Sequence, residues 1–261
     1  MITSERIQSY FREVARRQYE VVSLPPFTLF FHPSDPLPFL NYAIPDIDDG
    51  RALAEPLKAL RAEFGKRVRI PRFEFVEAFA PALGCALAAA GFQAEPAAHL
   101  MVADAGTAKP AQPVSELRID VVTRGSHLEE IRRLLFVQRA GFGLPDPTLV
   151  SDADATWFQT SLGDGKGFVA WLGEAPVAGG VLMPAIDGIA EIAGIATMDE
   201  FRKRGIGAAI TGMALRAALD AGVETVVLSA ADAKAGRVYE AVGFRAFGST
   251  LFYRESALQH P

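Results

Sequence analysis

The segment from Ala190 to Ile210 constrains the fold more than any other part of the chain. It reads AEIAGIATMDEFRKRGIGAAI: an apolar run with small residues, a short acidic turn, a basic loop with two glycines, and an apolar pattern at helical spacing. This order predicts a strand that leads through the loop directly into a helix. The chain is therefore expected to hold a helix N-terminus at the end of a sheet strand.

The loop in this segment has the chemistry of an anion site. The first N–H groups of a helix point outward, and the helix dipole favours negative charge there. Gly205 and Gly207 let the backbone approach an anion closely, and Arg202, Lys203 and Arg204 add positive charge. No Gly-Lys-Ser/Thr follows, so this is not a Walker loop, and the third glycine of a Rossmann fingerprint is missing. The pattern predicts a pyrophosphate-binding loop, although a basic helix start with glycines kept for packing would look the same.

Composition excludes several classes of protein. The 261 residues are 50% hydrophobic, which is enough to build a core and excludes a disordered chain. A net charge of −5 argues against a dedicated nucleic-acid binder, which needs a basic surface. The single cysteine, Cys85, excludes intramolecular disulfides, and its apolar neighbours predict that it is buried. The four histidines have no ligand spacing, so no metal site is expected.

No membrane or export signal is recognisable in the sequence. Charges run through the N-terminal residues MITSERIQSYFREVARRQ, where a signal peptide needs an apolar stretch. The most apolar region, Phe73 to Phe92, contains Glu74, Glu77 and Pro81 and is too interrupted to span a bilayer. These features predict a soluble, cytoplasmic protein without a membrane partner.

The chain is expected to form two similar α/β domains. The small-residue and proline-containing stretch 104–114 predicts a linker between a domain at 1–103 and a domain at 115–261. Each half contains a helix end, a Gly-Phe turn and a strand, at Gly91-Phe92 in the first half and at Gly243-Phe244 in the second. This agreement predicts an internal duplication.

The second half resembles the GNAT N-acetyltransferase superfamily. That family has Gln/Arg-x-x-Gly-x-Gly/Ala between a bulged strand and a helix, which Arg202-x-x-Gly205-x-Gly207 matches. Further along, the family's Asn, Ala, Tyr and Gly-Phe correspond in order to Asp232, Ala235, Tyr239 and Gly243-Phe244. The resemblance covers about Glu116 to Arg254. It implies an α/β (α+β) fold of two GNAT-like domains, each with a mixed, splayed central sheet flanked by helices, the first of them degenerate.

The resemblance also implies the residues that bind the coenzyme. Backbone groups of Ile195, Ala196 and Thr197 would contact the pantetheine arm of acetyl-CoA. The pyrophosphate would bind to the loop formed by Arg202, Lys203, Arg204, Gly205, Ile206, Gly207 and Ala208. Asp232 stands where the family has Asn, which puts its contact to the pantetheine in doubt, and Tyr239 would lie close to the same arm.

Two catalytic residues follow from the same resemblance. Tyr239 would protonate the leaving thiolate. Glu191 stands fourteen residues before Gly205, where histone-acetylating members carry a catalytic glutamate, and would act as the base. Strand alternation places Glu191 on the face of Ala193 and Ile195, unless a bulge changes it. Two alternatives stay open: a chain of water molecules acts as the base, or Glu191 is a solvated carboxylate at the end of the strand.

The predicted function is acetyl-CoA-dependent N-acetyl transfer by direct attack in a ternary complex. The alternative is a non-catalytic module that binds or senses acyl-CoA. The acceptor would be a small-molecule or peptide amine bound near Phe136 to Trp157. Asp146, Asp152 and Asp154 in this region would suit a cationic amine, but the interpretation as solvated turn residues is favoured. The first half is expected to bind no coenzyme, because the segment Pro45 to Gly50 carries three acids where an anion site needs cations.

Overall fold

The computed structural model describes residues 2–47, 53–144 and 146–256 and shows a mixed α/β protein. Contacts divide the chain into two compact units. The N-terminal unit comprises residues 1–100 together with 247–261, and the C-terminal unit comprises residues 101–246. The last strand of the chain thus belongs to the N-terminal unit, whereas the division expected from the sequence places it in the second domain.

The N-terminal unit is built on a sheet of short strands. Its elements are α1 (Ser4–Gln18), β1 (Glu20–Leu24), β2 (Phe27–Phe31), β3 (Asn41–Pro45), α2 (Ala54–Lys66), β4 (Arg72–Val76), α3 (Leu83–Ala89), β5 (Gln93–Ala94) and the start of β6 (Ala98–Ala103). Strands β1, β2 and β3 are antiparallel, and β3 runs parallel to β4. Phenylalanines on β2 and β4 and three apolar residues of α2 form its core: Phe27, Phe31, Phe73, Phe75, Leu57, Leu60 and Phe64.

The C-terminal unit places helices on both faces of a larger sheet. Its elements are β7 (Leu117–Val122), α4 (Leu128–Gly141), α5 (Asp152–Leu162), β8 (Lys166–Leu172), β9 (Ala175–Leu182), β10 (Ile189–Thr197), α6 (Ile206–Asp220), β11 (Thr225–Ala230), α7 (Ala233–Glu240) and the start of β12 (Arg245–Arg254). Strands β7 to β10 pair antiparallel, and β10 pairs parallel with β11. One core lies beneath α6 and another beneath α4 and α5. The predicted mixed, splayed sheet flanked by helices is confirmed.

The end of β12 completes the sheet of the N-terminal unit. Residues Thr250 to Arg254 pair antiparallel with Val76 to Arg72 of β4. Tyr253 stacks on Phe75 with ring centroids 6.1 Å apart, and a Cβ at Gly84 would lie 2.6 Å from its hydroxyl oxygen. This dense packing makes the last strand an integral part of that unit's core.

The stretch predicted as a linker packs against the C-terminal unit. Lys109 donates its N–H to the carbonyl of Val242 at 3.0 Å, and Ala108, Ala111 and Val114 pack on the core beneath α6. A Cβ at Gly212 of α6 would lie 3.0 Å from the Cβ of Ala111. The composition of 104–114 is that of a linker, but its small side chains allow close approach to a helix.

Some local predictions need correction. Cys85 is exposed, because it lies on the outer face of α3 while Leu83 and Leu87 face the core. Asp48, Asp49 and Gly50 of the acidic segment, and His260, lie outside the described residues. No helix in the described ranges is long and apolar enough to cross a membrane.

Candidate coenzyme-binding and active site

The site is organised by two parallel strands that separate. Strands β10 and β11 pair at Ile189–Thr225, Ala190–Val226 and Glu191–Val227. Beyond Glu191, β10 continues against β9 on its other side, with a shift in register between Ala193 and Ala196. This shift is a β-bulge, which bends a strand and increases its local twist.

Gly194 forms the bulge, and two observations favour glycine at this position. Its φ of +62° lies in the left-handed region, which favours glycine. A Cβ at this position would also collide with the amide nitrogen of Gln138, which donates a hydrogen bond to the Gly194 carbonyl at 2.9 Å. Gln138 lies on α4 and was missed by sequence reasoning. Its position in the apolar stripe that contains Ile131 and Leu134 is the signal that could have identified it.

The glycine loop ends in the expected helix N-terminus. Gly205 has a φ of +81° and caps α6 without a side-chain hydrogen bond to the helix. The first N–H groups of a helix have no intrahelical partner and carry the positive end of the dipole. Lys203 and Arg204 are exposed beside them. The loop therefore combines amide donors with exposed cations, which is the composition that an anion site requires.

Arg202 makes its contacts within the protein. Its guanidinium donates to the carbonyl of Thr197 at 3.1 Å and to the carbonyl of Gly141 at 2.7 Å, and pairs with Asp199 at 2.8 Å. The side chain thus connects the loop to the end of β10 and to the end of α4. Its role as a phosphate ligand stays a prediction. In the structure its side chain holds these elements together through hydrogen bonds.

Three elements meet at Gly207. A Cβ on this residue would lie 3.7 Å from Val238 of α7, 3.9 Å from the hydroxyl oxygen of Thr197 and 4.0 Å from Ile195. The end of β10, the first turn of α6 and helix α7 therefore converge on one point. The structure thus brings together predicted coenzyme-binding residues that are distant in the sequence.

Helix α7 carries Tyr239 and begins at Asp232. One carboxylate oxygen of Asp232 accepts the N–H of Ala235 at 2.7 Å and so caps the helix. This backbone hydrogen bond is the main reason that the pKa of Asp232 is lowered. Tyr239 is half-buried and packs edge-on against Phe244. Burial, and secondarily the negative charge of Asp232, raises the pKa of Tyr239, so the phenol holds its proton at neutral pH.

Glu191 lies at the last paired position before β10 and β11 separate. Its neighbours Ala190 and Ile192 lie in the core beneath α6, so alternation directs Glu191 to the opposite face. Ile195 packs against the α6 core. The bulge inserts one residue between Glu191 and Ile195 and so places them on opposite faces, which is the alternative that the sequence left open. The assignment of Glu191 as the base stays a prediction.

Two of the acids near the predicted acceptor region pair with arginines. Asp152 forms an ion pair with Arg132, and Asp154 forms one with Arg139 at 3.2 Å. Asp154 also accepts the N–H of Ser151 at the start of α5. These contacts hold α5 to α4 and neutralise both carboxylates. Asp146 accepts the hydroxyl of Thr148 at 2.6 Å.

The described residues contain no group of three or more His, Cys, Asp or Glu side chains that could hold a metal ion.

Comparison with known proteins identifies the family of the C-terminal unit. Residues 129–244 match the model of the acetyltransferase (GNAT) family. This match agrees with the family that the motifs predicted. No curated protein sequence matches the chain.

Solved structures show the same fold over nearly the whole chain. A GCN5-related N-acetyltransferase from Kribbella flavida aligns with a TM-score of 0.80 and 21% identity, covering 98% of this chain and 97% of that one. A tandem GNAT protein from the clavulanic acid biosynthesis pathway aligns with a TM-score of 0.65 and 17% identity over 90% of this chain and 79% of that one. A functionally unknown conserved protein from Staphylococcus epidermidis aligns with a TM-score of 0.64 and 19% identity, covering 95% of this chain and 98% of that one. The fold is thus that of GNAT proteins.

Proposed function

We propose that the C-terminal unit binds acetyl-CoA and transfers its acetyl group to an amine by direct attack in a ternary complex. The convergence of β10, α6 and α7 at Gly207 carries this proposal. A pantetheine arm that ran between β10 and β11 would have strand backbone, helix amides and the helix of Tyr239 around it. The family match supports the same conclusion.

The donor set fits the coenzyme. The amides at the start of α6 would bind the pyrophosphate, with Lys203 and Arg204 adjacent, and each charge-assisted hydrogen bond would contribute about 1.5–3 kcal/mol. Backbone groups of the stretch Ile195 to Thr197 would bind the pantetheine, with the Ile195 N–H left for the acyl group at the end of this arm. Acetyl-CoA supplies an activated thioester, so the protein itself needs no covalent intermediate. The only cysteine, Cys85, lies in the N-terminal unit, which agrees with direct attack.

The side chains of this unit supply the proton chemistry. An amine attacks only when neutral, so a base must remove a proton, and we assign this role to Glu191 directly or through water. Tyr239 holds its proton because burial raises its pKa, and it gives this proton to the departing thiolate. Glu191→Gln should lower the rate by about 10²–10⁴-fold. A rate close to that of the unmodified protein at every pH would reject Glu191.

A calorimetric titration of the full chain with acetyl-CoA tests the proposal. We expect one site per chain, and we expect Gly207→Glu to lose it because a carboxylate would meet the phosphates. Gly207→Ala is the matched control for folding, since its methyl group would find no atom closer than 3.7 Å. No binding by the unmodified chain would overturn the proposal, and two sites would show that the N-terminal unit also binds coenzyme.

An amine screen separates the proposed enzyme from its alternative. Acetylated product from small-molecule or peptide amines would establish transfer. Binding without product in a broad screen would favour a non-catalytic module that senses acyl-CoA. Asp232 in place of the family's Asn is the residue that favours this alternative.

A further inference from the structure

The contact between α4 and the bulge of β10 fixes the orientation of one peptide group. Nε2 of Gln138 donates to the carbonyl of Gly194 at 2.9 Å across 56 residues of sequence. A carbonyl oxygen only accepts hydrogen bonds, so the side-chain amide must present its NH₂ group here. The close approach is possible because residue 194 has no Cβ.

The same contact determines where the next N–H points. Among the described residues the only cis peptide bond is Pro25–Pro26, so the bond between Gly194 and Ile195 is trans. In a trans peptide the C=O and the following N–H point in opposite directions. With the Gly194 carbonyl held toward α4, the Ile195 N–H is directed away from α4.

The strand register shows that this N–H does not face β9. The carbonyl of Glu191 in β10 accepts the N–H of Met183, which follows β9. Met198, directly after β10, donates its N–H to the carbonyl of Val177 in β9. Glu191 and Met198 therefore direct these backbone groups to the β9 side. Ala193 and Ala196 pair with Val181 and Gly179 in the same alternation. Ile195 lies between them and is not paired with a residue of β9, so its N–H lies outside the ladder with β9.

We infer that Gln138 is a positioning residue that holds the Ile195 N–H toward the acyl carbonyl oxygen of bound acetyl-CoA. This inference rests on the proposed function. A fixed donor at that oxygen would stabilise the charge that develops there during attack. Gln138 acts through Gly194 and does not itself touch the substrate.

Free CoA provides a test that needs no acceptor, since it lacks the acetyl group, and with it the acyl oxygen, but keeps the rest of acetyl-CoA. We would measure Kd for acetyl-CoA and for CoA by calorimetry with the full-length protein and with Gln138→Met, a side chain of similar length without a donor. We expect acetyl-CoA binding to weaken about 3–10-fold while CoA binding stays the same.

The control variant is Gln159→Met, which removes a hydrogen bond of the same type. Gln159 donates to the carbonyl of Ser126 at 2.7 Å, remote from the bulge. This variant should leave both affinities unchanged. If Gln138→Met weakens both ligands equally, or neither, the inference is wrong. If the unmodified protein binds neither ligand, the proposed function itself fails.

A second variant gives an independent readout if Gln138→Met folds poorly. In Gln138→Glu the side chain can donate to Gly194 only when it is protonated. The ratio of acetyl-CoA to CoA affinity should therefore rise as the pH is lowered through the titration of this carboxyl group, whereas the unmodified protein should show no such change. A ratio independent of pH would contradict the inference.

Discussion

In each unit two parallel strands pair and then separate, β3 and β4 in the N-terminal unit and β10 and β11 in the C-terminal unit. Different groups lie where the strands separate. In the N-terminal unit β3 pairs with β4 at Ala43 and Phe73. Three residues further along β4, the N–H of Val76 donates to the side chain of Gln8 at 2.8 Å. Glu77 donates to Ser249 on the β12 side, so Val76 faces β3, and Gln8 of α1 takes the place of a strand partner. In the C-terminal unit the corresponding separation meets the glycine-capped start of α6.

The Gly-Phe turns show a second difference between the units. In both, glycine has a positive φ, +93° at Gly91 and +107° at Gly243. The N–H of Phe92 bonds to Leu87 and that of Phe244 bonds to Tyr239, with the same spacing. Leu87, which is fully buried, therefore occupies the position of Tyr239. The N-terminal unit keeps the turn and the packing but has no phenol at this point.

These differences distinguish the features that each unit needs to fold from the features that the proposed reaction needs. The shared turn and strand arrangement need only local sequence and a core, and both units retain them. In the part of the chain that the structure describes, the amides of a glycine-capped helix and a protonated tyrosine are found together only in the C-terminal unit. The comparison therefore predicts that matching substitutions in the two units will affect different properties.

The largest effect is expected at the paired positions 239 and 87. Tyr239→Phe should lower the acetyl-transfer rate by about 10²–10⁴-fold, because the proton donor is lost, with little change in stability. Leu87→Ala should leave the rate unchanged and lower the free energy of unfolding by about 2–5 kcal/mol, because it creates a cavity. Steady-state kinetics and urea unfolding measure the two properties. Equal rates for Tyr239→Phe and the unmodified protein would remove the acid role.

A smaller effect is expected at Gln8. Gln8→Met would leave the buried N–H of Val76 without its acceptor, which costs about 1–3 kcal/mol. The loss should fall toward the lower end, because Nε2 of Gln8 is itself buried without a partner among the described residues. Urea unfolding measures this change. Coenzyme stoichiometry should stay at one per chain, and a second site in this variant would show that Gln8 alone closes the N-terminal unit to coenzyme.

The pH dependence of Tyr239 offers a third test. Burial raises its folded-state pKa, so its contribution to stability is complete below the ordinary tyrosine pKa. That contribution is lost as the pH rises through the raised value. Ultraviolet difference titration of the unmodified protein against Tyr239→Phe should assign a phenol that ionises above pH 10. Ionisation below pH 10 would contradict the burial argument.

The smallest effect is expected at Asp232. Asn also caps helices well, so Asp232→Asn should keep the thermal midpoint, whereas Asp232→Ala should lower it. Because its folded pKa is lowered, Asp232 contributes stability above the ordinary aspartate pKa and loses it as the pH falls through the folded value. Thermal melts at neutral and acidic pH would show the Ala difference shrinking in acid. A difference that does not change with pH would mean that capping does not depend on the charge.

Much of the local structure could be predicted from the sequence. The strand, loop and helix predicted within Ala190 to Ile210 are present as β10, the glycine loop and the start of α6. Helix α4 likewise begins with a local contact, in which the N–H of His127 donates to the carboxylate of Glu130 at 2.9 Å. Turn chemistry and periodicity act over a few residues, so they are readable in one stretch of chain.

The sequence by itself determined the element order, the two Gly-Phe turns and the glycine-capped helix, because each depends on neighbouring residues. Only the tertiary structure decided which polar groups meet. It pairs Gln8 with Val76 and Gln138 with Gly194, and it commits Arg202 to Thr197 and Gly141. It also moved the last strand into the N-terminal unit. A buried donor or acceptor takes whichever partner the packed core brings within reach, and that choice is made across the fold, between residues far apart in the chain.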